Sequence, residues 1–270
     1  ALRNLSVQQP NAPRREVSFE DLHHAAETFI EEFDPQFGGF GTSPKFPPHG
    51  ILGILLAVDQ KTEDETPWLV AERTLDAMAE GGLYDHVGGG FHRYATDPEW
   101  FRPHFEKMLY DNALLVMALL ECHQVTENSL YKGVAERTLD YIRREMTAPE
   151  GGFYSAQDAD SEGEEGKYYT FTRAEILEVL GPEQGNSLCE HYGVTAQGNF
   201  GGKNILNLIR QKAAALPDEP TEKQLSLLLE YRSGRYRLHK DDKILTSWNA
   251  LMIAACAKAG RVLSRPDYLR

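Results

Sequence analysis

The heptapeptide VAERTLD occurs at 70–76 and again, letter for letter, at 134–140. Each copy lies in a stretch of helical periodicity and runs on into a glycine-rich loop, GGLYD beginning at Gly81 and GGFYS beginning at Gly151. A weaker third copy, AAETF at 25–29, leads to the glycine pair and phenylalanine of 38–40. A unit that recurs at intervals of tens of residues cannot bury its apolar face alone and does so by stacking on its neighbours. The repeat therefore predicts a mainly α chain of helical hairpins, each unit made of a polar-faced helix, a glycine loop and an apolar helix. The loops at Gly38, Gly81 and Gly151 are expected to gather at one end of the stack.

Periodicity and capping signals supply the elements. Ser18 offers an N-cap, and Phe19, Leu22, Ala25, Ala26, Phe29, Ile30 and Phe33 follow at helical spacing. An apolar helix is expected over 51–58, and another from Pro67 to Gly81. Pro103 suits a first helical turn, so a helix is expected over 105–122, apolar nearly all round, in which Glu106 with Tyr110 and Lys107 with Asp111 form i,i+4 pairs. A fifth helix is expected over 130–146. YSAQ and KYYTF alternate as strands do and enclose the acidic run DADSEGEEG, which predicts a small β-hairpin insertion near 152–171. Thr172 with Glu175 forms a capping box for a helix ending at Gly181. A short helix is expected over 188–192, one capped by Thr221 and Gln224, an inner helix over 244–260, and the start of another at Pro266. Residues 1–16 read as a linker and 17–270 as a single helical-hairpin domain.

The chain has 270 residues and a formal net charge of −13, which repels nucleic-acid phosphates and anionic lipid. No apolar run is long enough to span a bilayer. Cys122, Cys189 and Cys256 are widely separated, as buried thiols of a reducing, cytoplasmic compartment are.

Chemistry-bearing residues concentrate in 81–115, GGLYDHVGGGFHRYATDPEWFRPHFEKMLYDNALL. Acids set among apolar neighbours take the raised pKa that general acid catalysis uses, and paired carboxylates are what glycoside cleavage requires. Asp85, His92, Glu106 and Asp111, with Asp158 from the acidic run, are the catalytic candidates. Lys45, Tyr84, Arg93, Trp100, His104, Asn112, Asp160, Trp248 and Asn249 are the candidates for substrate contact, the aromatics by stacking on sugar rings. A structural loop whose polar groups satisfy neighbouring backbone is the competing reading of the glycine stretch. Asp158-x-Asp160-x-Glu162-Gly163 is like the first half of an EF-hand loop, but Tyr169 occupies the twelfth position, where the bidentate glutamate belongs. No zinc spacing, P-loop or dinucleotide fingerprint is present, so neither a metal nor a cofactor is expected.

Five segments in order, FGGFGTSPKFP at 37–47, the 81–115 stretch, GGFYSAQDADSEGEEGKYY at 151–169, GNFGGKNIL at 198–206 and DDKILTSWNALM at 241–252, resemble the motifs of the YyaL-like family. These are thioredoxin-domain-containing proteins related to the animal spermatogenesis-associated protein. The resemblance implies an (α/α)6 toroid similar to six-hairpin glycosidases and N-acylglucosamine 2-epimerases, here incomplete, with a thioredoxin-like domain before Ala1 and further hairpins after Arg270. It implies a carbohydrate-processing or carbohydrate-binding role, glycosidase-like or epimerase-like, with a sugar or small molecule as ligand. The alternative is a non-catalytic module that docks clients for the thioredoxin-like domain, or a scaffold. An incomplete toroid would also expose an apolar edge and associate with itself. Ala250 departs from the glycine usual after Trp-Asn, which bears on how closely backbone can approach there.

Overall fold

The computed structural model describes residues 16–211 and 216–270; most of the expected linker at 1–16 lies outside them. Ser18 caps α1 (Phe19–Glu31), with Asp21 completing the reciprocal box. There follow α2 (His49–Asp59), α3 (Thr66–Glu80), α4 (Leu109–Thr126) and α5 (Ser129–Tyr141), the last prolonged by a π-helical turn at Ile142–Met146. Helices α6 (Arg173–Leu180), α7 (Pro182–His191), α8 (Glu219–Arg235) and α9 (Thr246–Val262) complete the set, before a 3-10 turn at Pro266–Leu269. The mainly α class is the one the repeat predicts.

Helices α2, α4 and α9 pack side by side as one row, and α1, α3 and α5 lie against that row as a second. The α4 helix is buried on most sides because both rows and α9 close on it. Helices α3 and α5 of the second row carry the repeat. Val70, Ala71, Thr74 and Leu75 of α3 are buried, and so are Val134, Ala135, Thr138 and Leu139 of α5. Identical letters thus bury an identical face.

Among the described residues, seven two-residue strands lie between the helices: β1 (Tyr94–Ala95), β2 (Pro103–His104), β3 (Lys107–Met108), β4 (Ala156–Gln157), β5 (Asp160–Ser161), β6 (Glu164–Glu165) and β7 (Lys240–Asp241). They form a β1–β2 ribbon, a β5–β6 hairpin and an antiparallel sheet in the order β3–β4–β7. Between β6 and β7, α6, α7 and α8 pack around a satellite core that includes Phe171, Ile176, Tyr192 and Leu228.

Four expectations are corrected. Residues 103–108 are extended rather than helical, because Pro103 pairs with Ala95 and Lys107 with Gln157, so α4 starts only at Leu109. The i,i+4 pairs expected for Glu106 and Lys107 therefore do not exist. The expected hairpin shrinks to β5–β6 with Glu162 and Gly163 at its tip, both with positive φ; YSAQ pairs instead with β3 and β7, and KYYTF forms no strand. Asp218, not Thr221, caps α8, accepting from the Thr221 N–H at 3.0 Å. The short helix foreseen at 188–192 is the end of α7, which begins at Pro182 behind Gly181.

Candidate functional site

The glycine loops are built alike down to single hydrogen bonds, and this decides what Asp85 does. In the loop after α1, the Asp34 N–H donates to Gly39 O (2.9 Å) and the Gly38 N–H to Asp34 O (2.8 Å). In the loop after α3, the Asp85 N–H donates to Gly90 O (3.0 Å) and the Gly89 N–H to Asp85 O (2.8 Å). Lys45 Nζ reaches Asp34 (2.6 Å) and Gly38 O (2.9 Å); Lys107 Nζ reaches Asp85 (2.8 Å) and Gly89 O (2.7 Å). Gly38 and Gly89 both take positive φ and press on the carbonyl of the repeat's arginine, Arg73 or Arg137, where a Cβ has no room. The counterpart of Gly38 is thus Gly89, not Gly81, which keeps φ −71° and lies against the Trp100 carbonyl. After α5, the Ala148 N–H still donates to Gly152 O (3.0 Å), but neither aspartate nor lysine is there.

Asp85 has a further partner. Arg232 of α8 grips both its oxygens at 2.9 Å, while Oδ1 also accepts the Val87 and Gly88 N–H groups. The two cations outweigh the cost of burial and hold its carboxyl well below the usual range. Burial, helped by the Arg232 charge and opposed by Asp85, brings the Lys107 ammonium down to about 8. Asp85 is enclosed and fully bonded.

Asn112 and Asn249 repeat one another too. Asn112 Oδ1 accepts the Phe91 N–H (2.7 Å), and its Nδ2 donates to Phe91 O and Met108 O (3.1 and 2.9 Å). Asn249 does the same with Phe153 and Leu245, at 2.8, 2.9 and 3.1 Å. Each amide ties a glycine loop to the first turn of the following inner helix, which uses all its polar atoms. Ala250 beside it is exposed, so its methyl group obstructs no backbone.

Other expected contacts also lie inside. Trp100 is fully buried with its Nε1–H on Gly38 O (3.2 Å), Lys45 is enclosed between Phe37 and Trp100, and Tyr84 is packed against His86 and Phe91. His92 is buried with Nδ1 2.8 Å from Phe105 O; burial and the Lys107 charge push its pKa down to about 3. Asp160 lies exposed at the start of the β5–β6 hairpin, away from α4.

A cleft of about 240 Å³ opens where α4 and α9 begin, lined by Glu106, Met108, Asp158, Asp241 and Trp248 among others. Strand alternation puts Ala156, Asp158 and Asp241 on this face of the β3–β4–β7 sheet. Glu106 Oε2 is 2.8 Å from Arg93 and 3.6 Å from His104, whose ring stacks on Tyr94 and whose Nδ1 meets Glu165 at 2.6 Å. Trp248 meets Tyr110 edge to face, ring centroids 4.8 Å apart. Behind Tyr110 lies Asp111, 3% exposed, with Oδ1 2.9 Å from His49 Nε2. Oδ2 is buried and makes no well-formed hydrogen bond among the described residues, although His49 and Tyr110 both approach the carboxyl. Burial raises the Asp111 pKa despite the opposing pull of His49 and Arg93.

The structure thus brings Glu106, Arg93, His104, Asp111, Asp158 and Trp248 to one region, and leaves Asp85, His92, Lys45, Tyr84, Trp100, Asn112, Asn249 and Asp160 outside it. Sequence reasoning passed over His49, His239 and Arg232. His49 is the first residue of α2, and nothing local marks Arg232. The acidic hairpin spends its charges on neighbours: Glu162 on Lys167 (2.8 Å), Glu164 on Lys203 (3.6 Å) and Glu165 on His104. Among the described residues no group of three or more His, Cys, Asp or Glu is arranged to hold a metal ion, and no helix is long and apolar enough to cross a membrane. All three cysteines are free thiols.

Fold and site together define a mainly α protein of repeated helical hairpins, with a polar and aromatic cleft at the N-terminal ends of its inner helices. Among curated proteins, the chain is similar to the Homo sapiens protein named spermatogenesis-associated protein 20, with 38% identity over 274 residues, covering 87% of this chain and 35% of that protein. It therefore spans about a third of the length of the curated relatives it matches. No family model matches it. Among solved structures, it is similar to a sugar epimerase from a ruminal bacterium, with TM-score 0.45 and 14% identity over 93% of this chain and 67% of that one. It is also similar to the cellobiose 2-epimerase of Spirochaeta thermophila, with TM-score 0.42 and 14% identity over 96% and 84% of the two chains.

Proposed function

We propose that this chain is part of a carbohydrate-processing toroid of the spermatogenesis-associated protein group, with the cleft between α4 and α9 as its site. The observation that carries the reading is the environment of Asp111: a buried carboxyl with a raised pKa and no well-formed hydrogen bond at Oδ2, next in the chain to the Tyr110 whose ring meets the cleft-lining Trp248. Glu106 and Asp158, by contrast, line a cleft open to water. Carboxyl groups whose surroundings push their protonation apart are how one site supplies both an acid and a base to a sugar carbon. In this reading Asp111 donates the proton, Glu106 or Asp158 accepts one, and Trp248 and Tyr110 offer ring faces to the sugar. His104 and Arg93 hold Glu106 in place.

The test is a screen of neutral mono- and oligosaccharides against the chain, with binding followed by NMR saturation transfer and turnover by the anomeric proton signals. Asp111→Asn and the double variant Glu106→Gln/Asp158→Asn are expected to abolish turnover, and Trp248→Ala to weaken binding, with unfolding free energies near that of the parent. Turnover that survives Asp111→Asn, or binding indifferent to Trp248→Ala, would overturn the reading.

A further inference from the structure

The sheet that floors the cleft has a second face. Gln157, Lys240 and Asp242 alternate with the cleft-lining Ala156, Asp158 and Asp241, and they line a groove of about 810 Å³. Its walls carry the phenols Tyr154, Tyr168 and Tyr236. Gln157 is 2% exposed, and its Oε1 accepts from Tyr141 (2.9 Å) and Tyr169 (3.2 Å). Its amide nitrogen makes no hydrogen bond among the described residues, and Gln157 is one of the residues that line the groove. Lys240 lies 3.3 Å from Glu145, and the remaining charged residues of the lining, Arg237 and Asp242, are of opposite sign. A surface with ring faces, a buried free amide and little uncompensated charge suits an uncharged polyol rather than an ion. His239 lines both cavities and is largely exposed at the free edge of β7.

We infer that the groove is a second saccharide subsite, joined to the cleft around His239, so that the substrate class is a neutral oligosaccharide rather than a single sugar. The inference rests on the carbohydrate reading of the cleft.

Glucose, mannose and their linear oligomers up to the hexasaccharide serve as probes in titration calorimetry with this chain. Affinity is expected to rise about tenfold or more from the monosaccharide to the tetrasaccharide. That rise is expected to disappear in Gln157→Ala and in Tyr236→Ala. Because Gln157 also anchors Tyr141 and Tyr169, Tyr236, only half-buried at the margin of the small core around Phe105 and Tyr168, supplies the less disruptive variant. An affinity independent of chain length, or a length dependence that survives Tyr236→Ala, overturns the second subsite while monosaccharide binding sensitive to Trp248→Ala leaves the cleft reading standing. Absence of binding across the whole series overturns both.

Discussion

Replacing Asp85 separates a structural clamp from a catalytic acid. Its carboxylate accepts five hydrogen bonds, two from Arg232, one from Lys107 and two from the amides of Val87 and Gly88. Asp85→Ala leaves two buried cations facing each other without a counter-charge, and breaking one partner out of a buried ion network costs about 3–5 kcal/mol. For a chain of this size that is a fall in Tm of roughly 6–20 °C. The equivalent Asp34 has one cation, and its side chain keeps 19% of its exposure, so water replaces part of what Asp34→Ala removes. Its loss is expected to be smaller, about 1–2 kcal/mol. Removing the cations as well, in Asp85→Ala/Lys107→Met/Arg232→Met, is expected to recover most of the stability, since no unpaired charge is then left inside. Urea unfolding followed by circular dichroism measures all three. A loss below about 1 kcal/mol for Asp85→Ala, or no recovery in the triple variant, would refute the clamp; lost sugar turnover at parental stability would return Asp85 to the active site.

Asp111 has the opposite sign: its folded pKa is raised, so its contribution is most favourable at low pH and is lost as pH rises through the folded value. Asp111→Asn at neutral pH is therefore expected to be neutral or stabilising by up to about 1 kcal/mol, and urea unfolding showing a clear loss would make the His49 contact structural. His86 and His92 are buried with pKa values lowered from 6.5 to about 4 and about 3, because burial disfavours the imidazolium. The unfolded chain therefore takes up protons first, and stability should fall below pH 6.5 by about 1.4 kcal/mol per pH unit for each histidine, until the folded values are reached. An unfolding free energy that stays flat from pH 6.5 to 5 would contradict this. Asn112→Ala and Asn249→Ala should each cost about 2–3 kcal/mol, since each orphans buried backbone groups, and should speed hydrogen exchange at Phe91 and Phe153 respectively. Exchange unchanged at those amides would show that the struts are dispensable.

The repeat and the caps at Ser18 and Thr172 were legible because they are local. An i,i+3,i+4 apolar face, a serine or threonine before a helix, and a glycine where φ must be positive act through neighbouring residues, so VAERTLD buries the same side chains in α3 and α5 wherever it occurs. The candidate site was legible only in part. Glu106, Asp111, Asp158 and Trp248 come together, but Asp85 and His92 carry the same letters as a catalytic pair and are buried in the interior. What separates the two groups is the partner each acid finds. Arg232 reaches Asp85 from α8, across most of the chain. Lys107 is drawn out of the helix that its own neighbourhood favours, into a strand paired with Gln157. A charge enters a protein interior only when an opposite charge meets it there, and that meeting depends on segments that periodicity cannot connect. Sequence alone thus determined where most of the helices lie and which face the repeated ones bury, but not that 103–108 is extended. Tertiary structure alone decided which acids are neutralised by distant cations and which, like Asp111, keep an oxygen without a well-formed hydrogen bond beside a cleft.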